Sequence, residues 1–196
     1  MKDFSSDIVK AQSFGAQLIG PATPSPQISN IVKQAAEFGI NQASQQRLAP
    51  IGLFSNDVKG LGLQTAQGLR LTESFYWDQD DAIRAFSRRF FDRDKRMPNS
   101  LQSSVCGAVK HYLNAVKAAG TDETAAMVKM KATPINDFMT RNGPIRADGR
   151  VLRDVGVFRV KTPAQSSGEW DLLTQIATTP GQEAFSAPDP AYSLVR

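Results

Sequence analysis

GLRLTESFYWDQDDAIRAFSRRFFDRDKRMPNSLQSSVCGAVKHYLNAVKAAG, residues Gly68–Gly120, is the stretch whose reading decides the fold. Leu69, Leu71, Phe75 and Trp77 combine apolar alternation with aromatics, the pattern of an extended segment that leaves one layer of structure and enters another. Asp78, Asp80 and Asp81 then open a helix, because carboxylates favour the positive end of the helix dipole. Ile83, Phe86 and Phe90 recur at i, i+3 and i+7 as its apolar stripe, with Phe91 at the edge. Pro98 and Ser100 punctuate. The next helix is expected to bury Leu101, Val105, Ala108, Val109, Tyr112, Val116 and Ala119. Gly120 supplies a left-handed stop, and Thr121 caps the helix after it.

Upstream, Ser5 or Ser6 caps a short helix carrying Ile8, Val9 and Gln12, closed by Gly15. Ala16–Ile19 reads as a short buried strand, Gln27–Phe38 as a helix with Ile28, Ile31, Val32 and Ala35 on one face, and Leu48–Phe54 as a second strand. Helix, strand, helix, strand at this spacing predicts an α/β layer with a mostly parallel sheet. The chain opens on a helix with no strand before it, although in a βαβ unit each helix connects two strands. Downstream, Asp122 to about Lys131 is a helix ended by Pro134. Asn142-Gly143-Pro144 is a turn, Asp148-Gly149 signals a hairpin, and Val151–Val160 is the returning strand. From Thr162 the chain is rich in Pro, Ser and Gly, with Trp170–Ile176 as its ordered stretch.

The chain has 196 residues, long enough for one large domain or two small lobes, and a formal net charge of +4. Arg84, Arg88, Arg89, Arg93, Lys95 and Arg96 cluster, but Asp80, Asp81, Asp92 and Asp94 are interleaved. That describes a solvated helix face with partners such as Asp80–Arg84 and Arg88–Asp92, so no nucleic-acid partner is expected. Cys106 is the single cysteine, which forbids an internal disulfide and is neutral on compartment. No run is long enough to span a membrane, and Met1-Lys2-Asp3-Phe4 leads into polar sequence without an export signal.

Catalytic chemistry has little material. His111 is the only histidine and lies beside the apolar stripe of its helix, a boundary or exposed position. Cys106, on the same helix, has nothing nearby to lower its pKa and reads as a small core residue. Gly60-Leu61-Gly62-Leu63-Gln64-Thr65 begins like a dinucleotide loop, but Thr65 stands where the third glycine belongs, so it reads as a surface turn. No metal spacing and no cofactor motif is present. Binding is left. Ligands of open α/β sheets sit outside the carboxyl ends of strands, at loops leading into helices. The candidates are Ala22 and Thr23 in the first such loop, Ser55 and Asp57 in the second, and Gln102 and Ser103 at the start of the central helix. Trp77 is a candidate for stacking on a ligand.

TESFYWDQDDAIRAFSRRF (72–90) and MPNSLQSSVCGAVKHYLNAVKAAGTDETAAMVKMK (97–131) resemble the substrate-binding proteins of branched-chain amino-acid type ABC transporters. These are the leucine-binding-protein-like, type I periplasmic binding proteins. DFSSDIVKAQSFGAQLIG (3–20), IVKQAAEFGI (31–40) and NGPIRADGRVLRDVGVFRVK (142–161) resemble the same family in the same order, from Asp3 to about Pro180. The resemblance implies type I periplasmic-binding-protein-like α/β sandwich lobes, here truncated at the N-terminus. It implies a partial second-lobe α/β unit over 1–74, a returning first-lobe helical segment over 75–140, and a second-lobe hairpin and C-terminal tail over 141–196.

The function so implied is non-enzymatic: a solute receptor for amino acids, amides or small carboxylates, aromatic ones included. Its partners are that ligand and an ABC permease, and its place is the periplasm, with the export signal removed or never part of this chain. In amino-acid binders of the family a carboxylate meets the ligand ammonium, which implies that role for Asp57, while the groups gripping the α-carboxylate belong to the absent half. Cys106 departs from the family, where an aromatic residue, usually tyrosine, stands. The alternative expectation is a ligand-incompetent truncated paralogue that acts as an oligomerising or interaction module, a homo-oligomer covering faces left bare.

Overall fold

A computed structural model gives the fold, with residues 3–23, 27–41 and 45–191 described. The chain forms two compact units: Met1–Glu73 with Gly156–Thr178, and Ser74–Val155 with Thr179–Arg196. The division expected from sequence, 1–74, 75–140 and 141–196, splits differently in its last part. Residues 141–155 cluster with 74–140, because bridges between Ile135 and Gly143 and between Ile145 and Val151 fold this stretch back on itself, and Arg153 reaches Ser104.

In the first unit, α1 (Ser5–Ser13) starts with Phe4 at its N-cap. The capping oxygen comes from Asp3, whose Oδ1 accepts from the Ser5 N–H and hydroxyl at 2.8 and 2.6 Å; Ser5 donates where it was expected to cap. Strand β1 (Leu18–Ile19), helix α2 (Gln27–Glu37) and strand β2 (Arg47–Leu48) come next. α2 buries Ile28, Val32 and Ala35, the face its periodicity predicts. β1 and β2 pair in parallel, Leu18 opposite Arg47 and Ile19 opposite Leu48. Their ladder runs on through Ile51 N–H to Pro21 O at 2.8 Å, so pairing outlasts the two-residue strands. β1 is not buried as expected: Leu18 is exposed.

Helices α3 (Ser55–Leu61) and α4 (Leu63–Ala66) meet at Gly62, whose φ of +78° permits the reversal. The expected surface turn at Gly60–Thr65 is therefore a helix junction, held because Val58, Leu61 and Ala66 are buried beneath it. β3 (Arg70–Glu73) pairs antiparallel with β4 (Val155–Val160), Leu71 opposite Phe158, and β5 (Leu173–Thr179) lies on the other side of β4. A mostly parallel sheet thus holds only for β1–β2. Glu73, buried at the end of β3, accepts the Ser55 N–H at 2.7 Å and so ties the start of α3 to the sheet.

The second unit is helical. α5 (Asp81–Asp94) is capped by Asp80, which accepts from Ile83 N–H at 2.9 Å. Its stripe faces an aromatic cluster in which Phe86 stacks on Phe138 at 3.6 Å and both meet Phe75 edge-on at 6.1 Å. Arg84 pairs with Asp78 and Asp81 and not with Asp80, because Asp80 is occupied by the cap and by Arg141. No Arg88–Asp92 pair forms among the described residues.

α6 (Ser100–Ala119) is capped by Asn99, with Gln102 returning the bond to the Asn99 N–H. α7 (Glu123–Ala132) is capped by Asp122, not by Thr121. α6 inverts the expected burial. Its buried face is Ser100, Ser103, Gly107, His111 and Ala115, while Leu101, Val105, Val109 and Tyr112 are exposed. Cys106 is exposed and not a core residue. His111 is buried, and its Nε2 lies 3.0 Å from the Met130 carbonyl of α7. The small face wins because it meets the chain's own partners: Gly107 lets the Asp137 carboxylate close to where a Cβ would stand, and α6 packs on α7. The Asp148-Gly149 hairpin forms as predicted, with Arg146 N–H to Arg150 O at 2.9 Å and Gly149 at φ +84°. A short helix, α8 (Gly181–Ala184), ends the described chain.

Candidate functional site

The seven residues singled out in the sequence fall into three groups. Ala22 and Thr23 share a cavity of about 300 Å³ in the first unit, walled mainly by apolar side chains including Ile8, Ile19, Ile31 and Leu48. Ser55 and Asp57 stand at the start of α3. Ser55 is buried against Glu73, and the Asp57 carboxylate accepts the Phe54 N–H at 2.9 Å, closing the first turn of the helix.

The other three belong to the second unit. Trp77 is half-buried, its ring 6.2 Å from that of Tyr76. The Gln102 side chain serves the α6 cap. Ser103 is fully buried, and its hydroxyl has no hydrogen-bond partner among the described residues.

Two polar concavities lie wholly within the second unit, and no local sequence pattern marks them. A cavity of about 420 Å³ is lined by Ser74, Ser104, Arg150, Arg153 and Phe185, with the Asp148-Gly149 turn at its rim. A second, of about 290 Å³, shares Ser74 and Arg153 with the first. Arg153 stands between them. Its Nη1 donates to the Ser104 hydroxyl at 3.4 Å and lies 3.3 Å from the Met139 sulfur. No carboxylate pairs with it among the described residues. Burial pushes its guanidinium below the usual arginine value, and the field of Asp137 partly restores it.

The backbone holds Arg153 in place. Gly181 approaches so closely that a Cβ there would lie 2.7 Å from Arg153 N and C, and the Gly181 N–H donates to Asp154 Oδ1 at 2.9 Å. Beside it, Arg150 lies over the Phe185 ring at 5.1 Å, and Arg146 pairs with Asp148 at 2.5 Å. A guanidinium with unused donors, beside two serine hydroxyls, suits a planar anion such as a carboxylate.

Nucleophilic and metal chemistry find no matching geometry among the described residues. His111 spends a ring nitrogen on a backbone carbonyl, and no group of three or more His, Cys, Asp or Glu could hold a metal ion. No helix among these residues is long and apolar enough to cross a membrane.

The periplasmic binding protein family matches residues 1–169. This chain belongs to that family. A periplasmic binding protein from Burkholderia mallei is 43% identical, with a TM-score of 0.87, over 95% of this chain and 49% of that one. A branched-chain amino acid ABC transporter periplasmic ligand-binding protein from Burkholderia xenovorans LB400 is 36% identical, with a TM-score of 0.84, over 95% and 50%.

More distantly, the solute-binding protein of an ABC transporter from Rhodopseudomonas palustris BisB5, in complex with 3,4-dihydroxybenzoic acid, shares the fold. It is 16% identical, with a TM-score of 0.76, over 91% of this chain and 49% of that one. A search of curated proteins gave no match. The chain spans about half the length of the solved proteins it matches, and its fold is the corresponding half of a type I periplasmic binding protein.

Proposed function

We propose that this chain forms part of the solute-binding receptor of an ABC importer, working in the periplasm and presenting its ligand to a permease. The ligand class is an amino acid or another small carboxylate, aromatic acids included, with neutral amides bound more weakly. The observation that carries the carboxylate is Arg153, charged, half-buried, without a carboxylate partner among the described residues, and flanked by Ser74 and Ser104. The 3,4-dihydroxybenzoic acid held by the Rhodopseudomonas palustris protein carries the same group.

The first unit is proposed to be the family's second lobe and the second unit its first lobe. Accessible atoms of Ala22, Thr23, Asp57, Trp77 and Gln102 would supply contacts at the strand ends, whereas Ser55 and Ser103 are buried within their own units. Type I receptors act by closing two lobes over the ligand, and a ligand that binds the native state raises its stability by RT ln(1 + [L]/Kd).

A thermal-unfolding scan against amino acids, amides and aromatic acids tests the reading. At 100 times Kd, a carboxylate ligand should add about 2.7 kcal/mol. A cooperative melt that no carboxylate moves would overturn it. The second reading, a ligand-incompetent module, is favoured by one observation, the bare apolar stripe of α6.

A further inference from the structure

Arg146, Arg150 and Arg153 stand on the Asp148-Gly149 hairpin and the strand that returns from it. Among the described residues only Arg146 pairs with a carboxylate. It takes Asp148 with two donors, Nε to Oδ1 at 3.1 Å and Nη2 to Oδ2 at 2.5 Å. The Arg150 main-chain N–H adds a third bond to Oδ1 at 3.1 Å. Asp148 is thus spent on its own turn. It is also the one acidic side chain lining the cavity of about 420 Å³, into which Arg150 and Arg153 both face with Ser74 and Ser104.

Neither of those two guanidinium groups has a counter-charge in contact. Arg150 lies over the Phe185 ring, an attraction to a neutral partner. Arg153 meets the Ser104 hydroxyl and the Met139 sulfur. Asp137 acts on Arg153 through its field alone, and its Oδ1 is taken by the N–H groups of Met139 and Thr140. Asp154, next in the chain, gives its Oδ1 to the Gly181 N–H. A concavity lined by two unmatched cations concentrates anions, and each planar guanidinium fork matches one carboxylate.

We propose that this cavity takes a dicarboxylate, with one carboxylate at Arg153 and the other at Arg150. This ligand class rests on the reading that Arg153 holds a carboxylate, and it narrows that reading from any small acid to one with two charged ends.

The test is a calorimetric titration of the straight-chain diacids from malonate to adipate, each beside its own monoamide. The members of each pair are alike in shape and differ in the second charge. At one chain length or more the diacid should bind at least about tenfold tighter than its monoamide, because a site built to pair a group rejects the analogue lacking it. Arg150→Gln should erase that preference and Arg150→Lys should keep part of it. Arg89→Gln, which removes the same charge from an exposed position on α5, should keep all of it. Diacids and monoamides that bind equally would overturn the dicarboxylate while leaving the Arg153 reading intact. Failure of both sets to bind would overturn the two together. Sulfate binding as tightly as the best diacid would also overturn it, since the arginines would then form an anion site without a preference for two carboxylates.

Discussion

Arg153 is fixed by its main chain before any side chain touches it. Gly181 lies against the Arg153 backbone at a separation that leaves no room for a Cβ, and backbone cannot yield as a flexible side chain can. Gly181→Ala should therefore lower the unfolding free energy by about 1–3 kcal/mol, measured by denaturant titration, and should weaken any carboxylate bound at Arg153 in parallel.

A second residue-scale prediction concerns Asp171, which pairs with Lys161. Burial pushes its carboxyl up, but the Lys161 ammonium with the N–H and hydroxyl of Ser167 outweigh burial and hold it below the ordinary carboxylate range. A depressed folded-state pKa stabilises above the unfolded value of about 3.9 and ceases to do so as pH falls through the folded value. Asp171→Asn should thus be less stable than the parent at neutral pH, with the gap closing below about pH 4. An equal gap at both pH values would refute the assignment. Neither Gly181 nor Arg153 was legible in the sequence, because each matters through a contact between segments 28 residues apart. That Asp78, Asp80 and Asp81 open a helix was legible, because the pull of the helix dipole on carboxylates is local, but which of them caps it was not.

At the scale of elements, α6 shows what periodicity can and cannot say. The spacing of Leu101, Val105, Val109 and Tyr112 correctly marks an apolar face, but a face's partner is not encoded in its own helix. Within this chain α6 packs on α7 and, at Gly107, against Asp137, and the residues it buries include the small Ser103, Gly107 and Ala115. Ala115→Leu should accordingly cost about 1–3 kcal/mol by overpacking, read from the shift in the denaturation midpoint. Stability unchanged by that substitution would mean that the small face is not packed as described.

The same limit explains β1, whose apolar Leu18 reads as buried and is exposed. The helix over 27–37 was legible in full, since its apolar face and its partners both belong to the first unit.

At the scale of the molecule, the order of elements and the family were legible from distributed sequence resemblance. The crossing between units at 73–74 lies beside the boundary expected at 74–75, whereas those at 155–156 and 178–179 carry no periodic signature that would mark them in the sequence. Each unit leaves large apolar side chains exposed, and the seven candidate residues are divided between the units.

The proposed function turns on recognition of a carboxylate by Arg153. The most direct measurement is a calorimetric titration of benzoate and of benzamide, a pair alike in shape and different in charge. At least tenfold tighter binding of benzoate is expected, a difference of about 1.4 kcal/mol, abolished by Arg153→Gln in a variant that still melts cooperatively. Equal affinity for the two compounds, or a benzoate affinity that Arg153→Gln leaves untouched, would contradict it.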